Sequence, residues 1–248
     1  SGLNDVAVIG GLNTNLSPEA FVGFCKMGAL SAEGSFPFDE RANGFVLGEG
    51  AGVVVIKRMK DALRDGDTIH AVIRGIGSSS DGKGKAIAAP NPDGQKYALE
   101  RCYENMFSDI TMPDIDYIEA HGTSTLMGDL AEIETLKKLY GTSPSGTGLS
   151  SVKALIGHLL GGAGLAGLIK AIQAVRHKTL PPNGQFENLS GRFDLKGTSL
   201  YIIKDATPWQ VAEGKTRLAA VSSFGFGGIN YHCIIGEMTD SYIPVKRA

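Results

Sequence analysis

The sequence predicts a layered α/β fold formed as a single unit. Short runs of β-branched residues alternate with segments of helical period from end to end, the pattern that puts helices against the faces of a sheet. No linker that would separate two domains interrupts that alternation. Apolar residues make up 42% of the 248 and mean hydropathy is -0.00, which suits a sizeable core under a water-exposed surface.

Taken in order, residues 6–9 (VAVI) read as a fully buried strand ending at Gly10 and Gly11. Ser17, Pro18 and Glu19 mark a helix start, with Ser17 as N-cap, Pro18 at N1 and an acid in the first turn. That helix runs through Phe21, Phe24 and Cys25 to about Met27. Residues 31–50 are rich in loop formers, and 52–57 form a strand by their β-branched run. A short helix at 59–65 and a turn at Gly66-Asp67 precede a strand at 69–76. Residues 81–95 are polar with many Gly and Pro and read as an exposed loop, with Asp93 capping a helix from about 94 to 106.

Residues 116–120 form a short buried strand that runs into a glycine turn, and 129–140 form a helix with Leu130, Ile133, Leu136 and Leu139 on one side. A turn cluster at 141–148 leads to a strand at 149–152. Residues 158–178 read as one long helix whose first half, almost all Gly, Ala and Leu, should pack very closely. Pro181 and Pro182 stop it, and strands follow at 200–203, 217–222 and 231–235.

Charge and cysteine content narrow the class. A net charge of -2 without a basic block argues against nucleic acid. No apolar run approaches the ~20 residues a bilayer demands, and no signal peptide opens the chain, so no membrane span is expected. Three cysteines without paired or ligand-like spacing suit a reducing cytoplasm. No metal site is expected.

Chemistry concentrates in three stretches. The first is EAHGTST at 119–125, which puts His121 at the carboxyl end of a strand, where open α/β sheets tend to bind ligands. By itself this His reads as readily as a structural residue. The second is SVKALIGH at 151–158, followed by AGLAGLIK at 163–170. The third is SSFGFGGIN at 222–230. In this order the three resemble the thiolase-fold β-ketoacyl synthases, the condensing enzymes of fatty acid and polyketide assembly. The likeness runs from about Asp5 to Ile235. It implies the C-terminal portion of a thiolase-like layered α/β/α/β/α fold, with 1–60 as the remainder of the first thiolase-like half and 61–240 as the second half.

The resemblance also implies a reaction: decarboxylative Claisen condensation of an acyl thioester with malonyl carried on acyl carrier protein. No cofactor is implied, because the substrates ride on the carrier's phosphopantetheine. The expected partners are acyl carrier protein, an earlier segment ending in a T-A-C-S-S nucleophile loop, and a second copy in a homodimer. In the family His121 and His158 point at the thioester carbonyl and donate to the enolate oxygen. Lys153 is partly buried, pairs with an acid matched here by Glu132, and organises the histidines. The N–H of Phe226 forms the oxyanion hole. Thr123 and Thr125 meet the pantetheine arm, the Phe224 ring gates the acyl channel, and Gly225 and Gly227 let backbone donors approach. The FDERANGF…GEGAG segment at 38–52 lines the approach to the active site.

Cys25, Cys102 and Cys233 read as small core hydrophobes, none at a small-residue elbow that would expose a thiolate. The nucleophile is therefore expected outside this chain. The family has Thr at the place of Ile229 and Ala at the place of Tyr231, so both residues are expected to reshape the pocket. Residues 73–95 are more narrowly similar to iterative type I synthases of polyunsaturated fatty acids and polyenes. Other readings stay open: a chain-length-factor-like partner without the nucleophile, or an inactive fragment. A nucleotide-binding domain is disfavoured, since no glycine loop follows G-x-G-x-x-G or G-K-[ST].

Overall fold

The computed structural model describes residues 4–14, 17–82, 89–106, 115–143 and 146–239. A six-stranded mixed sheet organises them, in the order β3 (Val72–Ser80), β10 (Ile229–Gly236), β9 (Leu218–Phe224), β4 (Tyr117–Glu119), β5 (Thr147–Ser150), β7 (Leu200–Ile202). β3, β10 and β9 pair antiparallel, whereas β9, β4, β5 and β7 run parallel. The central parallel strands β4 and β5 are short and buried at every position, as expected of strands covered on both faces.

One face is covered by α3 (Pro92–Glu104) and α4 (Leu126–Tyr140), which build a core with Ile118, Leu149, Ala220 and Ile234. The other face carries α6 (Ala163–His177), whose Ala171, Ala174 and Val175 pack on Tyr117, Ala219 and Val221. Beyond α6 lies a two-stranded antiparallel ribbon of β1 (Val6–Asn13) and β2 (Gly50–Lys57), touching α6 through Leu165 and Ile169. Ribbon, helix, sheet and helices are thus stacked in layers, with one helix layer between two sheets. The smaller elements are α1 (Pro18–Lys26), α2 (Met59–Asp65), α5 (Lys153–Ile156), a single 3-10 turn at Leu160–Gly162, and the pair β6 (Thr179–Leu180) and β8 (Thr207–Pro208).

Several boundaries follow their sequence signals. The Ser17 hydroxyl accepts from the Ala20 N–H with Pro18 at N1, and Gly66 ends α2 in the left-handed conformation. Others are corrected. The cap of α3 is Asn91, whose side chain accepts from the Asp93 N–H, and the helix begins at Pro92. The long helix expected at 158–178 is broken. His158 lies in an irregular stretch between α5 and the 3-10 turn, where its N–H donates to the Val46 carbonyl (2.8 Å) and its carbonyl accepts from Gly48 (3.1 Å). In a continuous helix from 158 that carbonyl would accept from the N–H four residues on instead of from Gly48.

The first strand is not buried: Val8 is 71% exposed and Val53 and Val55 of its partner are more than half exposed. The ribbon has one face on the α6 layer and the other uncovered, so its apolar runs do not mean burial on both sides. Cys25 is likewise exposed, on a helix that buries no side chain. Of the loop similar to the iterative synthases, residues 83–88 lie outside the described residues.

Candidate active site

The parallel strands end on one side of the sheet, and there β4 hands the chain to His121. The Ala120 N–H donates to the Ser150 carbonyl at 2.8 Å, fixing the strand end against β5. The His121 ring then lies beside the end of β9, its Nδ1 accepting from the Phe224 N–H at 3.3 Å. His158 is held by its own turn, Nδ1 accepting from the Leu160 N–H at 3.0 Å, with its ring 4.9 Å from Phe45. The two imidazoles come within 5.8 Å of each other, centre to centre, nearly perpendicular.

Their electrostatics follow from burial and a neighbouring cation. Desolvation and the Lys153 ammonium push His121 well below the ordinary histidine value and hold His158 at about 3. Both rings are therefore neutral near pH 7. A neutral imidazole with Nδ1 occupied as an acceptor carries its proton on Nε2. Each ring thus offers one N–H donor, in a fixed tautomer.

The pairing expected between Lys153 and Glu132 is corrected by a different arrangement. Lys153, fully buried at the start of α5, donates from Nζ to the His121 carbonyl at 2.6 Å. Glu132, on α4, accepts the N–H of His121 at 2.8 Å and of Gly122 at 2.7 Å. Ammonium and carboxylate grip opposite ends of the same residue instead of each other. One turn earlier in α4, the buried Asp129 accepts from Phe38 (2.8 Å) and Ser124 (3.0 Å), tying the 36–41 loop to the chain just after His121. The expectations above did not include Asp129, although Gly128-Asp129 stands directly behind the EAHGTST stretch. Nor did they include Glu119 and Lys170, an ion pair at 2.8 Å behind the site in which the carboxylate is buried and the ammonium partly so.

His121, Thr123, Thr125, Phe224, Gly225 and Phe226 line a cleft of about 310 Å³, together with Asp81, Asn91 and Asn230. The Thr123 and Thr125 hydroxyls are bonded to each other at 2.9 Å. The Phe224 ring sits 5.5 Å from that of His121. In the 224–229 turn Gly225 donates to Ile229 and Gly228 to Gly225; among the described residues the Phe226 N–H takes no part in the turn's bonding. Gly227 does not line the cleft. Neither do Ile229 and Tyr231, both more than half exposed. They alternate with Asn230 and His232, which point to the α3 face of the sheet, so the expected change to the pocket does not follow.

No cysteine lines the cleft. Cys102 and Cys233 lie inside the fold, where burial pushes each thiol up to about 12. Among the described residues there is no cluster of side chains able to hold a metal ion, and no helix long and apolar enough to cross a membrane.

Comparison with known proteins places this arrangement. Residues 1–62 match the β-ketoacyl synthase N-terminal domain and residues 70–187 the β-ketoacyl synthase C-terminal domain. Two proteins of the phenolphthiocerol/phthiocerol polyketide synthase of Mycobacterium tuberculosis are similar along nearly the whole chain. One is 43% identical over 244 residues, 98% of the chain, and the other 44% identical over 236 residues, 94% of it. The chain belongs to the β-ketoacyl synthase family. Among solved structures, this ketosynthase chain superposes on the ketosynthase from module 6 of the bacillaene synthase of Bacillus subtilis with a TM-score of 0.90 at 39% identity over 96% of its length. An oxazolomycin ketosynthase domain from Streptomyces albus gives 0.86 at 35% identity over 98%. The fold is therefore thiolase-like. The ketosynthase chain spans 16% and 12% of the two mycobacterial proteins and 43% of each solved structure.

Proposed function

We propose that this chain supplies the enolate-stabilising side of a polyketide-type ketosynthase. The enzyme joins an acyl thioester to a malonyl group carried on acyl carrier protein, with loss of CO2. One observation carries the reading: two neutral imidazoles 5.8 Å apart, each fixed by a backbone N–H at Nδ1 and so left with a donor at Nε2, one of them (His121) lining a cleft.

When the malonyl carboxylate leaves as CO2, its electron pair moves into an enolate whose oxygen accepts from the two Nε2–H groups. Neutral donors serve here without proton transfer, and a dry site strengthens them. The enolate carbon then attacks the acyl thioester held on a cysteine. The resulting oxyanion takes the Phe226 N–H, and its collapse expels the thiolate. Lys153 and Glu132 hold the His121 backbone in register for both steps. Thr123 and Thr125 bind the pantetheine arm, and the Phe224 ring gates the acyl channel. No group other than the carrier's phosphopantetheine is required.

The thiol comes from a segment outside these 248 residues, since none of Cys25, Cys102 and Cys233 borders the cleft. The test is made in the complete ketosynthase. His121→Ala and His158→Ala should each lower condensation on the order of 100–1,000-fold while self-acylation of the cysteine is far less affected. Near-normal elongation by either variant overturns the role of that imidazole.

A further inference from the structure

We infer that Glu119 and Lys170 are positioning residues for the condensation. They brace residues 150–153 so that the Lys153 ammonium lands on the His121 carbonyl, and they set the field around that ammonium.

The brace is largely buried, Glu119 at 1% exposure and Lys170 at 12%. Lys170 reaches from α6 to pair with Glu119 Oε2 at 2.8 Å and donates to the Ser150 hydroxyl at 2.8 Å. Glu119 Oε1 accepts the Val152 N–H at 2.6 Å. Tyr117 closes the group, donating to Glu119 Oε2, with its hydroxyl 3.0 Å from that of Ser150. Ser150 and Val152 flank Ser151, whose hydroxyl donates to the Gly122 carbonyl, and Lys153 follows. Thus the ion pair grips the turn that delivers Lys153 to the chain at His121 and Gly122. Helix α6 comes close enough because residue 167, one turn before Lys170, is glycine: a Cβ there would stand 3.1 Å from Glu119 Cγ.

Such an arrangement has a use beyond stability. A buried ion pair contributes little net stability over apolar residues of the same shape, yet it holds a rigid geometry. Neither Glu119 nor Lys170 lines the cleft, so both act through Lys153. The charges that face Lys153 come from three elements: Glu119 on β4, Glu132 and Asp129 on α4, and Lys170 on α6. The imidazoles of His121 and His158 complete its surroundings. The carboxylates favour the charged ammonium and Lys170 opposes it, so the two partners of one ion pair act on Lys153 with opposite sign.

That opposition separates this role from a merely structural one. The activity readout rests on the ketosynthase reading; a second readout does not. In the complete ketosynthase, Glu119→Gln should move the alkaline limb of the kcat profile to lower pH. Lys170→Gln should move it to higher pH. The double variant buries no unpaired charge, so it folds; its limb returns near the wild-type position while kcat falls by roughly 10- to 100-fold at little change in KM, the effect of a displaced group. The second readout is the NMR titration of the Lys153 side chain in 15N-lysine-labelled protein, with Lys153→Met for assignment, and it should show the same opposite displacements. Limbs and titrations that shift the same way in both single variants, or not at all, overturn the inference, as does a double variant with wild-type kcat. Should a single variant fail to fold, the kcat of the double variant decides. If wild-type enzyme does not condense while the titrations move as stated, the ketosynthase reading fails and the positioning of Lys153 stands.

Discussion

Asp129 sets two opposing effects against each other, and Asp129→Asn measures which is larger. Its carboxylate is fully buried and accepts two backbone N–H groups, from Phe38 and Ser124. Those bonds favour the ionised form, whereas burial and the nearby Glu132 carboxylate disfavour it, and the balance raises the group from its ordinary 3.8 to about 7. A carboxyl raised on folding keeps its proton in the native state after the unfolded chain has lost it. Its contribution to stability is therefore complete below pH 3.8 and declines as pH rises towards 7. The displacement corresponds to roughly 4 kcal/mol in total, about 2 kcal/mol of it between pH 5.5 and 8.

Asparagine presents the bonding pattern of the protonated acid, one acceptor and one donor, and does not titrate. The variant should then match wild type below about pH 3.8, and its advantage should widen by about 2 kcal/mol between pH 5.5 and pH 8, a further relative Tm gain on the order of 4–8 °C for a chain of this length. The neighbouring histidines, His158 and His232, are both held at about 3 and lose stability on acidification. That trend is common to both proteins and cancels in the difference between them. Thermal denaturation at the two pH values decides the matter. A variant that is less stable at pH 8 than at pH 5.5, relative to wild type, would mean that the two N–H bonds outweigh burial and that the Asp129 carboxylate is ionised throughout.

Four further outcomes are expected. Lys153→Met should lower stability, because it leaves the His121 carbonyl without its donor and the buried carboxylates around it without their cation, and should abolish condensation; a variant that still elongates normally places the function of Lys153 elsewhere. Gly77→Ala should cost about 3 kcal/mol or more by urea denaturation, since the added Cβ would stand 2.1 Å from the Ala98 carbonyl oxygen of α3, and a loss under 1 kcal/mol contradicts that packing. Incubated with an acyl thioester or cerulenin, the chain alone should show no stoichiometric adduct by intact mass, and acylation of Cys25, Cys102 or Cys233 refutes the assignment of the nucleophile to another segment. The exposed apolar face of the β1–β2 ribbon should make the isolated chain self-associate; light scattering that finds a monodisperse, cooperatively melting monomer would show that this face is no liability.

Much of the fold and of the site was legible in the residues themselves, and the reason is locality. The bounds of α2, the cap of α1, the buried strand at Tyr117–Glu119 and the helix behind it depend on neighbours a few positions apart. So does the succession of three motifs that brings the family into view and with it His121, Lys153, His158 and the turn at Phe224–Phe226. Tertiary structure decided whatever depends on which distant group arrives first. Glu132 and Lys153, 21 positions apart, were paired only by the resemblance, since nothing local in the sequence fixes what either meets. In the fold the His121 N–H and carbonyl reach them first, and unsatisfied buried backbone groups would cost more than a missing ion pair gains. The same holds for the helix break at His158, made where Val46 and Gly48 pair with the backbone. It holds for the exposure of Val8 and Val55, because an apolar strand carries no record of whether one face or two will be covered. The tautomers of the two imidazoles were also beyond reach, since each is set by a single N–H: Leu160, two residues away through a break, and Phe224, 103 positions away on another strand.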